Sequence, residues 1–251
     1  MKKILYVVLL CLSMLSSVLM VRSLSKPQPK SVPQVSIQRK ATHLVLFKGR
    51  NDDDDIGACT ATVVAPHAIS LAEHCDIGAG ASDTISLDLA TNVYHVQKRW
   101  KDGRDHIVYG LDGDAFGDIS PIKERPAKAG EYVYYYGDPQ AAYPPQLYTG
   151  IVKYNHDPSE LTRKSGMQYY SLDSEPGCSG STVYAADGSM VGMITYGDSE
   201  DELGGLYRKT GSIGFELNYS KKQLAEISKF APPKHSKRGK PLPPPRDLFP
   251  F

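Results

Sequence analysis

The sequence has no cysteines in CxxC spacing, almost no excess of charge, no internal repeat and few apolar stretches of helical period. The four cysteines, Cys11, Cys59, Cys75 and Cys178, are scattered, so the paired spacing of a structural zinc site is missing and no metal is expected. A net charge of +1 over 251 residues gives no electrostatic case for nucleic acid as a partner. With helical periodicity scarce and 22 glycines, 18 prolines and 16 tyrosines present, many short strands joined by tight turns are expected. The fold class is therefore all-β.

A chain of this length and apolar content can bury one sizeable core or two small ones plus tails. Ile4 to Val21 is an apolar run broken only by serines and preceded by Lys2 and Lys3, which suits an export signal or a single membrane anchor. Arg22 makes a poor cleavage site, so residues 1–23 lean towards a retained anchor and an exported chain. Residues 24–37, with Pro27, Pro29 and Pro33, read as a linker. From 38 to 229 the text changes to strand-like segments, such as His43 to Phe47, Glu131 to Tyr136 and Met190 to Thr195, separated by turn residues. Ser220 can cap a short closing helix that carries Leu224 and Ile227. Residues 230–251 form a basic, proline-rich tail with too little apolar surface to offset its ordering entropy. Within it, Pro241 to Arg246 is a polyproline segment of the kind an SH3-type partner takes, although such tails are common without one. The four adjacent aspartates Asp52 to Asp55 read as a solvated turn before a calcium loop.

Two segments carry chemistry. In Glu175-Pro-Gly-Cys-Ser-Gly-Ser181, a glycine on each side of Cys178-Ser179 permits a tight turn. Such a turn exposes the Ser179 hydroxyl while the amides of Gly177 and Ser179 converge on one point, which is what a tetrahedral oxyanion requires. In Gly57 to Cys75, an apolar strand, a Pro66-His67 turn and a second apolar strand lead to Ala72-Glu-His74-Cys75. Each motif is weak alone.

Together, and in this order, they resemble the chymotrypsin-like serine peptidase superfamily across roughly Ala41 to Ile227. The resemblance implies two six-stranded antiparallel β-barrels and a short C-terminal helix, with His74 as general base, Ser179 as nucleophile and Gly177 and Ser179 as the oxyanion hole. It also implies a disulfide between Cys59 and Cys75, which suits an exported chain. For the triad acid two residues compete. Asp105 opens Asp-His-Ile-Val-Tyr109, and Asp118 opens Asp-Ile-Ser-Pro-Ile122, similar to the family's Asp-Ile-Ala-Leu-Leu. Asp118 is preferred because a strand and a loop precede it and a glycine turn and a Gly-x-Pro strand end follow it.

The chain departs from the family pattern at several places. Ser181 replaces the second glycine of Gly-Asp-Ser-Gly-Gly, as in the glutamyl endopeptidases, and Ser120-Pro121 interrupts the run after Asp118. Cys178 replaces the motif's aspartate and is expected to be a buried filler. For substrate binding the resemblance points to the wall strand Thr195, Tyr196 and Gly197, to Gly211 on a second wall, and to Asp173 on the pocket floor, where a buried carboxylate would select lysine or arginine. Hydrolysis of a protein or peptide substrate through an acyl-enzyme, with no cofactor, is the expected function. The rival is a catalytically silent homologue that binds peptides or serves as a membrane scaffold.

Overall fold

The structure is a computed structural model that describes residues 35–48, 56–78, 83–88, 93–154, 166–202 and 206–233, all within the unit Pro33–Phe251. The N-terminal apolar run, the four-aspartate turn and the polyproline segment lie outside the described residues. Among the described residues, no helix is long and apolar enough to cross a membrane.

Twelve strands form two closed barrels. β1 (Thr42–Lys48), β2 (Ile56–Ala65), β3 (Ala68–Ala72), β4 (Thr84–Leu87), β5 (Val93–Lys101) and β6 (His106–Leu111) close in the order β1-β2-β3-β6-β5-β4. β7 (Tyr132–Gly137), β8 (Gln146–Tyr154), β9 (Met167–Tyr170), β10 (Thr182–Ala185), β11 (Met190–Glu202) and β12 (Leu206–Phe215) close in the order β10-β11-β12-β9-β8-β7. Every neighbouring pair is antiparallel, as the two-barrel expectation required. Closure leaves neither sheet a bare edge.

Side-chain alternation explains why several strands are apolar on both faces. In β7, Val133 and Tyr135 point into the second barrel with Val152, Tyr170, Val183 and Ile194. Tyr134 and Tyr136 point the other way, into a shared cluster with Val64, Ala68, Val108 and Tyr184. That cluster draws residues from both barrels, so the seam between them is itself a core. The first barrel is filled by Val45, Phe47, Val63, Ile69, Leu71, Ile107 and Tyr109.

Helices are few and short. The expected C-terminal helix is present at Lys221–Lys229, where Ser220 and Gln223 form a reciprocal capping box and Ile227 is buried. Phe230, read from sequence as the start of the tail, belongs to the fold. Its ring meets Trp100 edge-on at 5.4 Å and lies where a side chain on Gly110 would have to go. The linker reading likewise runs too far, because a helix, α1, occupies Val35–Lys40. Gln38 is buried there and its carbonyl accepts a hydrogen bond from Thr42 Oγ1 at 2.8 Å, which ties α1 to the first barrel.

Cys59 on β2 and Cys75, in the short helix α2 (Glu73–Gly78) that follows β3, are bonded as a disulfide. With a sequence separation of 16, a loop of this size restricts the unfolded chain by about 3 kcal/mol. Replacing both cysteines with alanine should lower the free energy of urea unfolding by about that amount and raise the slope as the unfolded chain loses its cross-link.

Candidate active site

His74 sits on α2, just past the end of β3. β3 pairs with β6 so that Ala72 is opposite His106, which places the residue before β6, Asp105, beside α2. Asp105 holds His74 at two points, accepting from its backbone amide at 2.8 Å through Oδ1 and meeting its Nδ1 at 2.8 Å through Oδ2. A carboxylate accepts, so Nδ1 carries the proton and Nε2 is left with its lone pair. The Glu73 amide also donates to the Asp105 carbonyl at 2.8 Å.

Asp105 is a non-glycine residue with φ of 69°, a conformation the turn around it must enforce. A second His–Asp pair does so. His106 Nδ1 meets Asp102 Oδ2 at 2.6 Å with both side chains fully buried, and the amides of Arg104 and Asn218 donate to the same carboxylate. Burial pushes the Asp102 carboxyl up, yet the His106 hydrogen bond and charge and the two amides hold it below its ordinary value.

Ser179 comes from the second barrel, in the turn between β9 and β10. Its Oγ donates to the Thr195 carbonyl at 3.2 Å, and the ring of Tyr196, the next residue, stacks on His74 with centroids 5.5 Å apart. On the other side, Gly180 presses so closely on β2 and β3 that a Cβ there would lie 2.2 Å from the Thr60 carbonyl oxygen and 2.9 Å from the Ala72 nitrogen. Ser179 and the His74–Asp105 pair are thus linked through neighbouring residues of β11, Ser179 to Thr195 and His74 to Tyr196.

The amides of Gly177 and Ser179 are aimed from behind. The Pro176 carbonyl accepts from Gln140 N at 2.6 Å and the Cys178 carbonyl from Ser181 N at 3.0 Å. In a trans peptide the N–H points opposite to the carbonyl, so fixing these two carbonyls fixes the Gly177 and Ser179 N–H directions. Neither amide has an acceptor among the described residues.

No family model and no curated protein matches this chain. Solved structures do. An inactive form of a serine-to-alanine mutant of Rv3671c from M. tuberculosis H37Rv aligns at 15% identity and a TM-score of 0.55, over 80% of this chain and 93% of that one. The active form of the Rv3671c protease from M. tuberculosis aligns at 17% and 0.57, over 82% and 89%. The HtrA-type protease AlgW with a tripeptide aligns at 14% and 0.57, over 79% and 62%. The chain has the chymotrypsin-like fold.

Within that fold, two sequence expectations need correction. Asp118 does not meet His74. It lies exposed in the loop after β6, a loop tied to the opposite end of β3 by hydrogen bonds from Phe116 N to the Pro66 carbonyl and from Ser120 N to the Val63 carbonyl. Because β3 and β6 run antiparallel, the residue before β6 lies at the His74 end and the residues after it lie at the Pro66 end. Asp173 is not a buried floor either. Its side chain is exposed, and its backbone carbonyl is what faces inward, accepting from the hydroxyl of Tyr135 at 2.5 Å.

The remaining chymotrypsin-like features can be placed individually. Cys178 is fully buried beside Tyr135, and burial raises its thiol above the ordinary value, so it is a poor nucleophile. Thr195 is buried, whereas Tyr196 and Gly197 are exposed along β11. Gly211 is opposite Asp198 on β12, and a Cβ there would strike the Tyr170 carbonyl. Three residues behind the oxyanion turn escaped the sequence reading: Thr60, Asp138 and Gln140. Their partners in the turn lie tens of residues or more away in sequence, as far as 117 for Thr60, and leave no local signal.

Gly177 has φ of 95°, and a Cβ on it would fall 2.4 Å from the Asp138 carbonyl oxygen. Backbone strain and overpacking each contribute about 1–3 kcal/mol in such cases, so Gly177→Ala should destabilise the chain by about 3 kcal/mol in urea unfolding.

Proposed function

We propose that the chain is a serine endopeptidase that hydrolyses peptide bonds through an acyl-enzyme on Ser179. The observation that carries this reading is the two-point hold of Asp105 on His74, beside a serine flanked by two uncommitted amides. Turning the Ser179 hydroxyl from the Thr195 carbonyl towards Nε2 of His74 lets the imidazole take its proton as oxygen attacks the scissile carbonyl. Asp105 keeps the proton on Nδ1 and stabilises the imidazolium that forms. The Gly177 and Ser179 amides receive the oxyanion. His74 then returns the proton to the leaving amine, and water, activated by the same imidazole, releases the acyl group.

The pairing of β11 with β10 stops at Met193, so at Tyr196 and Gly197 the strand is paired only with β12, and its other side suits a substrate bound as an added strand, its main chain pairing with the protein's. A preference for lysine or arginine at the cleaved bond would rest on Asp173 as an exposed rim charge. Exposed pairs contribute only ~0.2–1 kcal/mol, so the preference should be weak. The N-terminal apolar run and the disulfide support an exported chain held at a membrane.

A fluorophosphonate probe should label the folded chain and fail to label Ser179→Ala; no labelling of folded wild type would favour the silent peptide-binding scaffold. Asp105→Asn should lower kcat by roughly 10⁴-fold by favouring the wrong His74 tautomer. Asp118→Asn should retain turnover close to wild type, and comparable losses in the two variants would break the triad assignment. Digestion of a peptide library should show at most a severalfold excess of cleavage after lysine and arginine.

A further inference from the structure

The oxyanion turn is held from behind by one side chain of the first barrel. Thr60, fully buried on β2, donates its amide to the Ser179 carbonyl at 2.8 Å and its hydroxyl to the Gly177 carbonyl at 2.8 Å. The same hydroxyl oxygen accepts from the Asp138 amide at 3.0 Å, and Asp138 Oδ2 stands 3.4 Å away. Thr60 has one hydroxyl proton and two acceptors for it, the Gly177 carbonyl and the Asp138 carboxyl.

Asp138 itself is fully buried, and its Oδ1 has no hydrogen-bond partner among the described residues. Among the described residues, no cation is paired with it. The titratable groups facing it are Asp88 and His43, which pair with one another on the first barrel, Tyr143 in the loop that follows it, and Cys178 in the turn. Gln140 and Ala141, immediately beyond it, both have positive φ without being glycine, so the segment behind the turn is conformationally constrained.

We propose that Asp138 is a positioning residue for the oxyanion turn: neutral, it leaves the Thr60 proton on the Gly177 carbonyl, and ionised, it draws that proton to itself and releases Gly177. This rests on the reading of Gly177 and Ser179 as oxyanion donors. A neutral carboxyl is a poor acceptor, so Thr60 satisfies Gly177. A buried carboxylate with an unpartnered oxygen competes for the nearest O–H through a charge-assisted bond. Gly177, freed at its carbonyl and lacking a Cβ, then loses its barrel-side restraint on the Gly177–Cys178 peptide that joins the two donor residues, and the turn that spaces their amides slackens. Burial above all, and Asp88 next, against the Thr60 hydrogen bond and His43, pushes the Asp138 carboxyl up to about 7. The neutral, turn-holding form prevails below that pH and is lost as pH rises through it.

The test combines pH–rate profiles with amide spectra of the full chain. Wild-type kcat/KM should fall on the alkaline side by about tenfold per pH unit, and Asp138→Asn, which keeps a neutral amide in place, should lose that limb. Thr60→Val should lower kcat by about 10²-fold with KM little changed, and Thr60→Ser should restore it. The ¹⁵N–¹H signals of Gly177 and Ser179 should shift in wild type with a midpoint near 7, and that step should vanish in Asp138→Asn. The amide spectra need no catalysis, so the clamp is judged even in a chain that cuts nothing. Superimposable profiles or titrations for wild type and Asp138→Asn overturn the proposal and leave the hydrolytic reading standing.

Discussion

The pairing of β3 with β6 is the contact from which the rest of the site follows. Its register sets Ala72 against His106, and the chain leaves both strands at the same end, one into α2 with His74 and the other back into the turn with Asp105. Nothing else is needed to bring an imidazole and a carboxylate together. The disulfide from Cys59 to Cys75 braces α2 to β2, and the buried Asp102–His106 pair stiffens the turn that carries Asp105. Both reinforce a geometry the ladder already imposes.

The second barrel must then deliver a serine to that point, and the seam makes this possible. Tyrosines 134, 136 and 184 pack with Val64, Ala68 and Val108 as a continuous interior, so the two sheets cannot slide without opening a core. Close approach at Gly180 and the double hold by Thr60 carry that rigidity to the nucleophile turn. In this way apolar packing, which is not directional, is converted into hydrogen-bond directions at the cleft.

Sequence patterns carried the architecture, and they singled out His74 and Ser179 for the proposed chemistry, for a physical reason: strands, turns and the residues at their ends are local. His74 and Ser179 each sit in a segment whose glycines, cysteines and apolar residues report their own geometry. The acid was misread because Asp105 and Asp118 both flank β6, and only the strand's direction relative to β3 tells which end faces the imidazole. Asp173 was misread because spacing from Ser179 says where a backbone lies and not which way its side chain turns. Thr60 and Asp138 were invisible, since their contacts span 78 residues and the bond from Thr60 to Gly177 spans 117.

Among the described residues, His74–Asp105 is one of four imidazole–carboxylate pairs in the first barrel, with His43–Asp88, His95–Asp112 and His106–Asp102. In His95–Asp112, as in His74–Asp105, the carboxylate takes the ring Nδ1 and the residue's own amide together, so the motif is ordinary joinery for fastening chain ends. On the proposed reading, what sets His74–Asp105 apart is a serine hydroxyl held by the residue next to the tyrosine that stacks on its ring. A scaffold that already contains several such joints offers more than one place where a single side-chain replacement nearby would supply the missing partner for new chemistry.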